Sequence, residues 1–348
     1  MSRRPWLTAL LLAAFGCEPD LTGYAAHTCA LVEDGTVWCW GHNEHGALGD
    51  GTRYDRPRPA AVPGLPPARS VAAGMGFTCA ATSAGEVRCW GRNDRGQLGD
   101  GSVEDRATPA PVAGLAGVVR VVAGTYAACA IGAAGEVSWW GELGDVRQVT
   151  PVPVVGLPAA AVDAFVHGGD ACALLVSGDV YCWKGDGTLE GPWFPAAAIA
   201  IAPAPAEPCA VLASGAVTCV DGALPFPARA LAGRWGQRCA LLEDAAVWCW
   251  GEEPFGPPQR FGGDPFAPAR FATDAASISV GAGYACAVQA SGGVVCWGDG
   301  WSGQLGDGMQ RERATPVAVV GLPGRAAAVS ASPADVVWDY GCGTAATP

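Results

Sequence analysis

The stretch that decides the fold runs His27-Thr28-Cys29-Ala30-Leu31 into Asp34-Gly35-Thr36-Val37-Trp38-Cys39-Trp40-Gly41. It returns as Phe77-Thr78-Cys79 through Gly85-Glu86-Val87-Arg88-Cys89-Trp90-Gly91, and equivalent units start at Cys129, Cys172, Cys209, Cys239 and Cys286. Seven units with periods between 30 and 50 residues define a repeat fold. Six cysteine pairs sit ten residues apart: Cys29 and Cys39, Cys79 and Cys89, Cys172 and Cys182, Cys209 and Cys219, Cys239 and Cys249, Cys286 and Cys296. Each pair encloses a short run, a turn and a second run, the plan of a β-hairpin. With the cysteines directly cross-strand, the left-handed position of a three-residue loop falls on Gly35, Gly85, Gly178, Gly215 and Gly292, with Ala245 the exception. The third unit, which has Trp139 in place of its second cysteine, complies with Gly135. This register predicts six disulfides, consistent with an exported protein. Ligands facing across a hairpin without matching histidines do not resemble a zinc site.

After the hairpin comes a loop, well formed in Gly46-Ala47-Leu48-Gly49-Asp50-Gly51, Gly96-Gln97-Leu98-Gly99-Asp100-Gly101 and Gly303-Gln304-Leu305-Gly306-Asp307-Gly308. A proline-led run such as Pro111-Val112-Ala113-Gly114-Leu115 follows, then a run such as Arg120-Val121-Val122-Ala123-Gly124. That is about four short strands per unit, the content of one propeller blade. The chain enters almost at its first hairpin, whereas its end supplies Pro316 to Leu322 and Ala328-Val329-Ser330, the runs that precede the other hairpins. Both termini therefore complete one blade, and closure removes exposed sheet edges. The expected fold is all-β, a seven-bladed propeller closed by pairing of N- and C-terminal strands.

Cys-Ala-Leu, then Gly-x-Val-x-Cys-Trp-Gly-x-Asn-x-x-Gly-Gln-Leu-Gly-Asp-Gly, resembles the repeat of the regulator of chromosome condensation family. The resemblance covers residues 20 to 332 and is most specific in units 1, 2 and 7; in unit 3, Gly141-Glu142-Leu143-Gly144-Asp145 is truncated. Units 4 and 5 keep remnants, Lys184-Gly185-Asp186-Gly187 and Asp221-Gly222, and unit 6 has Gly251-Glu252-Glu253-Pro254 instead. The resemblance implies a seven-bladed propeller. Some family members exchange nucleotide on a small GTPase, others bind chromatin or lipid, and a related secreted bacterial propeller inhibits β-lactamase by docking one face.

The first seventeen residues read differently. Arg3 and Arg4 precede an apolar stretch, Leu7 to Phe15, too short to span a bilayer, and Ala14-Phe15-Gly16-Cys17 resembles a bacterial lipoprotein box. The expected division is a signal peptide over 1–16, a lipidated Cys17 with a short tether to 22, the propeller over 23–332, and a tail over 333–348. A lipidated envelope protein stands away from cytoplasmic GTPases, so nucleotide exchange is not expected. The net charge of −12 repels a phosphate backbone, which excludes nucleic acid as a partner. With Cys17 acylated and twelve cysteines paired, Cys129 and Cys342 remain; Cys129 should be a buried, inert thiol and Cys342 accessible.

No catalytic constellation emerges. The Gly-Asp-Gly loops lack the helix and lysine of a phosphate loop and the clustered oxygens of a calcium site. Asp50, Asp100 and Asp307 are expected to bond their own turns. Trp40, Trp90, Trp140, Trp183, Trp250 and Trp297, one per blade, read as inter-blade packing. His42-Asn43-Glu44-His45 is a weak metal motif without a third element. Candidates for partner binding are Phe255, Phe261, Phe266 and Phe271 in the proline-rich stretch from Glu252 to Asp274, with Trp193, Phe194 and Trp301 besides. The reading is a monomeric, non-catalytic protein-binding or scaffold module acting through its loops, without cofactor or metal, anchored in a membrane by lipid, whose partner is an envelope or extracellular protein. A lectin-like or enzymatic propeller using one face is the alternative.

Overall fold

The cysteine spacing folds as the hairpin it suggests. In a computed structural model describing residues 26–194, 196–202, 208–219, 222–223, 227–234, 237–251 and 269–332, β1 (His27–Val32) pairs antiparallel with β2 (Val37–Gly41), and Cys29 faces Cys39. Gly35 closes the turn with its amide donated to the Val32 carbonyl and φ at 85°, a backbone that glycine adopts without steric cost. All six predicted disulfides are present: Cys29 with Cys39, Cys79 with Cys89, Cys172 with Cys182, Cys209 with Cys219, Cys239 with Cys249, and Cys286 with Cys296. Their Cα atoms are 3.9 to 4.4 Å apart, the close approach of non-hydrogen-bonded cross-strand pairs.

Seven such hairpins, each extended by a strand on either side, make seven four-stranded antiparallel sheets. Blade 1 is β28 (Ala326–Ala331), β1, β2 and β3 (Arg56–Ala61). Blade 2 is β4 (Ala68–Ala73), β5 (Phe77–Thr82), β6 (Val87–Gly91) and β7 (Arg106–Pro111). Blade 3 is β8 (Val118–Ala123), β9 (Ala127–Gly132), β10 (Val137–Leu143) and β11 (Val146–Pro153). Blade 4 is β12 (Ala161–His167), β13 (Asp170–Leu175), β14 (Val180–Lys184) and β15 (Leu189–Glu190). Blade 5 is β16 (Ala198–Ala202), β17 (Cys209–Leu212), β18 (Val217–Cys219) and β19 (Gly222–Ala223). Blade 6 is β20 (Ala228–Arg234), β21 (Gln237–Leu242), β22 (Val247–Gly251) and β23 (Ala269–Ala272). Blade 7 is β24 (Ala275–Val280), β25 (Tyr284–Gln289), β26 (Val294–Gly298) and β27 (Arg313–Ala318). The later hairpins keep the register of the first: Cys182 in β14 faces Cys172, Cys249 in β22 faces Cys239, and Cys296 in β26 faces Cys286.

The first strands of the blades touch in sequence, β28 to β4, β8, β12, β16, β20, β24 and back to β28, so they form the inner ring. The core lies between blades: Phe77, Cys79 and Leu98 of blade 2 pack with Val118, Val121 and Trp140 of blade 3. Because both faces of a blade are covered, β1, β5 and β9 are buried at every position and lose the alternation of a one-sided sheet. The ring closes where the termini meet, with Thr28, Cys29 and Ala30 opposite Ala331, Ser330 and Val329. Serine hydroxyls fasten neighbouring inner strands there, Ser279 accepting from the Ala331 amide at 2.9 Å and Ser330 from the Ala73 amide at 2.9 Å.

This topology gives the disc two unlike faces. The link from first to second strand and the loop from third to fourth emerge on one, the loop face; the hairpin turns and the connections between blades emerge on the other, the turn face.

Candidate functional site

On the loop face the intact Gly-x-Leu-Gly-Asp-Gly loops of blades 7, 1 and 2 each reach over the next blade. The Trp40 indole donates to the Gln304 carbonyl at 2.8 Å, Trp90 to Ala47 at 2.8 Å and Trp140 to Gln97 at 2.9 Å. A Cβ at Gly49 would stand 2.6 Å from the Trp90 indole nitrogen, so the glycine is what lets the loop approach the ring. Each aspartate binds its own turn as expected: the amides of Thr52, Ser102 and Met309 donate to Asp50, Asp100 and Asp307, each at 2.9 Å. The second carboxylate oxygen pairs with Arg56, Arg106 or Arg313 at the start of the fourth strand, a partner that sequence reasoning missed although an arginine recurs six residues after each aspartate. Burial works against ionisation of Asp50, but the bonds from Thr52 and Arg56 outweigh it and hold the carboxyl below the usual range. The buried Asn43 side chain ties the loop together, accepting from the Leu48 amide at 2.9 Å and donating to the Thr52 carbonyl at 3.1 Å. These loops are latches between blades.

The truncated loop of blade 3 keeps Leu143-Gly144-Asp145 and then enters β11 at once. Leu143, fully buried, packs with Trp183 of blade 4, whose indole nitrogen is buried without a hydrogen-bond partner.

On the turn face a different feature appears. Every first strand carries a β-bulge against its neighbour, so its second residue is skipped in the pairing: Val118 faces Gly132 and Arg120 faces Ile131, leaving Val119 out. The seven skipped residues are Ala327, Arg69, Val119, Val162, Ile199, Arg229 and Ala276, all exposed at the turn-face end of the inner ring. Three consecutive members, on blades 3, 4 and 5, are large aliphatics: Val119, Val162 and Ile199, the last two 52% exposed. Val155, 80% exposed, and Val176, 69% exposed, lie on the turn face of the same sector, on the link from blade 3 to blade 4 and on the hairpin turn of blade 4. Val119, Val162 and Ile199 form an exposed aliphatic arc on the inner ring, bounded by Arg69 and Arg229, with Val176 and Val155 farther out on the same face.

The candidates named from sequence are distributed otherwise. Trp301 is 66% exposed in the loop of blade 7. Trp193 and Phe194 are half-buried, packed on the core formed by Cys172, Cys182, Leu174, Val180 and Ile201 of blades 4 and 5. Phe255, Phe261 and Phe266 lie outside the described residues, as do Cys17 and Cys342; Phe271 falls in β23. The disulfide cysteines serve the core instead of a site: Cys182, Cys249 and Cys296 are buried with their partners between blades. His42 faces Asp55 and Glu44; burial opposes its protonation, but the Asp55 carboxylate outweighs this and raises its pKa. His45 turns away to Asp105 of blade 2 at 2.9 Å, so the two histidines serve different partners. Among the described residues no group of three histidine, cysteine, aspartate or glutamate side chains is placed to hold a metal ion. Cys129 is a fully buried free cysteine whose thiol pKa is pushed up by burial.

Fold and repeat together define a seven-bladed propeller assembled from Trp-latched hairpin units. The regulator of chromosome condensation repeat matches residues 34–81 and 84–131, and a second form of the same repeat matches 68–97. Residues 34–131 thus carry repeats of this family, and the remaining blades share their fold. No curated protein matches it in sequence. Among solved structures it is similar to human WBSCR16, at 19% identity with a TM-score of 0.75, covering 86% of this chain and 96% of that one. It is also similar to Prp20p of Saccharomyces cerevisiae, at 20% identity and TM-score 0.70, covering 84% and 88%. The ectodomain of the Physcomitrella patens receptor kinase CR4 aligns at 19% identity and TM-score 0.52, covering 79% and 71%. At these identities the likeness is one of fold.

Proposed function

We propose that the chain is a non-catalytic, exported propeller, held at the cell envelope by lipid on Cys17, which binds a protein partner through the turn face. The observation that carries the reading is the aliphatic arc of Val119, Val162 and Ile199, with Val155 and Val176 farther out on the same face. Aliphatic side chains gathered on one face of a rigid ring favour a complementary apolar protein surface, because covering each of them removes apolar area from water. Six disulfides support an oxidising location. The fold is compatible with such roles: the structure of Prp20p is described with its binding to Gsp1p and histones, and that of CR4 is an ectodomain.

The test is capture from envelope extract by the oxidised mature protein, compared with the double variant Val162→Glu, Ile199→Glu and the control Val320→Glu on the turn face between blades 7 and 1. A partner retained by wild type and control but lost by the double variant supports the arc. Equal retention by all three would overturn it. Acyl chains on Cys17, with release of Cys17→Ser into the soluble fraction, test the anchor separately.

A further inference from the structure

The exposed large apolar side chains of the described residues fall into two groups. Five lie on the turn face in the sector of blades 3 to 5, and Val320 lies apart on the same face. The other four, Tyr54 at 79% exposure, Val103 at 45%, Trp301 at 66% and Met309 at 52%, all sit on the loop face, in the long loops of blades 1, 2 and 7. Blade 1 is the middle member of that trio, and it is where the described chain begins: Ala26 leads into β1 on the loop face, flanked by the three loops.

We infer that these three loops rest on a lipid bilayer, with Trp301, Tyr54 and Met309 in its interface and the turn face directed away from the membrane. The inference rests on the lipidation of Cys17 proposed above. Cys17 and Ala26 are nine positions apart, so the connection reaches about 30 Å when fully extended. To lay the turn face on the membrane, it would have to pass outward across β2 and β3, about 10 Å at the usual strand spacing, and then run the height of a six-residue strand, about 20 Å. That consumes the whole reach before any loop is rounded. With the loop face down, nine positions are more than enough to reach the surface, and among the described residues the three loops carry the large apolar side chains that meet it.

The chemistry of the loops agrees. Tryptophan and tyrosine settle at the headgroup level, where an apolar ring and a polar tip are both satisfied. In blade 7, Trp301 stands where the equivalent loops of blades 1 and 2 carry Glu44 and Asp94, an exchange of a charged side chain for an aromatic one on an otherwise repeated loop. The net charge of −12 gives anionic lipid no general attraction for this chain, so the contact is apolar and should withstand salt.

The experiment is hydroxyl-radical footprinting of the purified lipidated protein on vesicles of phosphatidylcholine and phosphatidylglycerol, against Cys17→Ser protein free in solution. The expected result is several-fold protection of Trp301, Tyr54 and Met309 on vesicles, none of Val155 or Val176, and no loss of protection in high salt. With acyl chains verified on Cys17 by mass spectrometry, unchanged oxidation of the three would overturn the orientation and leave the anchor standing. Protection of Val155 and Val176 instead would reverse the faces and overturn it as well. A mature protein without acyl chains would remove the anchor, and the inference with it.

Discussion

Six hairpin turns with glycine at the left-handed position, and one without, make a natural experiment within one chain. Gly35, Gly85, Gly135, Gly178, Gly215 and Gly292 all have φ between 83° and 85°; Ala245 sits at 61° in the equivalent turn. A Cβ in this region crowds the following carbonyl and costs about 1 kcal/mol. Ala245→Gly should therefore stabilise the oxidised protein by about 0.5–1 kcal/mol, less whatever the unfolded chain gains in freedom. Gly35→Ala should do the opposite and more, because its Cβ would stand 2.9 Å from the Pro67 side chain. Denaturant midpoints of the two variants check this; an Ala245→Gly protein no more stable than wild type would mean that the sixth turn is relaxed as it stands. These turns were legible from spacing alone, since a hairpin with a cysteine pair admits few registers. The aliphatic arc was not. Nothing in the repeat pattern singles out Val119, Val162 and Ile199; the bulge, which breaks the two-residue alternation, brings them to the surface. The packing of Trp193 and Phe194 was not legible either, because they stand in a segment with no period to read and fold back onto blade 4.

At the scale of the element, the repeat motif is a device for joining one blade to the next. Its tryptophan was legible as packing, but the bond from its indole to the loop of the neighbouring blade was not, because donor and acceptor are 43 residues apart at Trp90 and Trp140 and 264 apart at Trp40. The degenerate units now acquire an energetic meaning. Trp90 donates to a carbonyl, whereas Trp183 has a buried indole nitrogen with no partner, since the truncated loop supplies Leu143 to the packing and no acceptor. Phenylalanine in place of tryptophan removes the N–H and some ring volume in both. At Trp90 it also removes one of the two donors to the Ala47 carbonyl, which keeps the Thr78 hydroxyl at 2.8 Å. Trp90→Phe should cost about 0.5–1.5 kcal/mol beyond the volume term, the net worth of one hydrogen bond, and Trp183→Phe little beyond it, because an unsatisfied donor is removed along with the ring. Equal losses at the two positions would show that the indole bond adds nothing to the latch.

At the scale of the whole molecule, stability concentrates at the seam where the ends meet. The His27 amide donates to the Ser332 hydroxyl at 2.8 Å, the His27 carbonyl accepts from the Tyr284 hydroxyl at 2.6 Å, and the His27 ring meets the Thr78 hydroxyl at 2.7 Å. One residue thus touches the C-terminal strand, blade 7 and blade 2. Its ring is fully buried, and burial, reinforced by the nearby His42, lowers its pKa from 6.5 to about 3. In the unfolded chain the ring takes a proton near its ordinary pKa of 6.5, so between that value and about 3 the unfolded state binds one proton more than the folded state. The contribution of His27 is therefore whole above pH 6.5 and falls as pH drops through that window, by up to about 1.4 kcal/mol per pH unit. His42, whose folded pKa is raised, runs the other way: its contribution is present below its unfolded pKa and is lost as pH rises through the folded one. The two are separated by comparing wild type with His27→Gln, which keeps a polar side chain at the seam but cannot take the proton. Unfolding free energies from about pH 4 to 5.5 should show a slope of nearly one proton in the difference between the proteins. Amide exchange in β28 and β1 should accelerate on acidification before that of β8 or β12, because a proton on His27 has to be placed where the ring closes. Parallel pH profiles for wild type and variant would show that His27 is solvated when the seam is shut, and uniform acceleration around the ring would show that acid does not act through the joined ends.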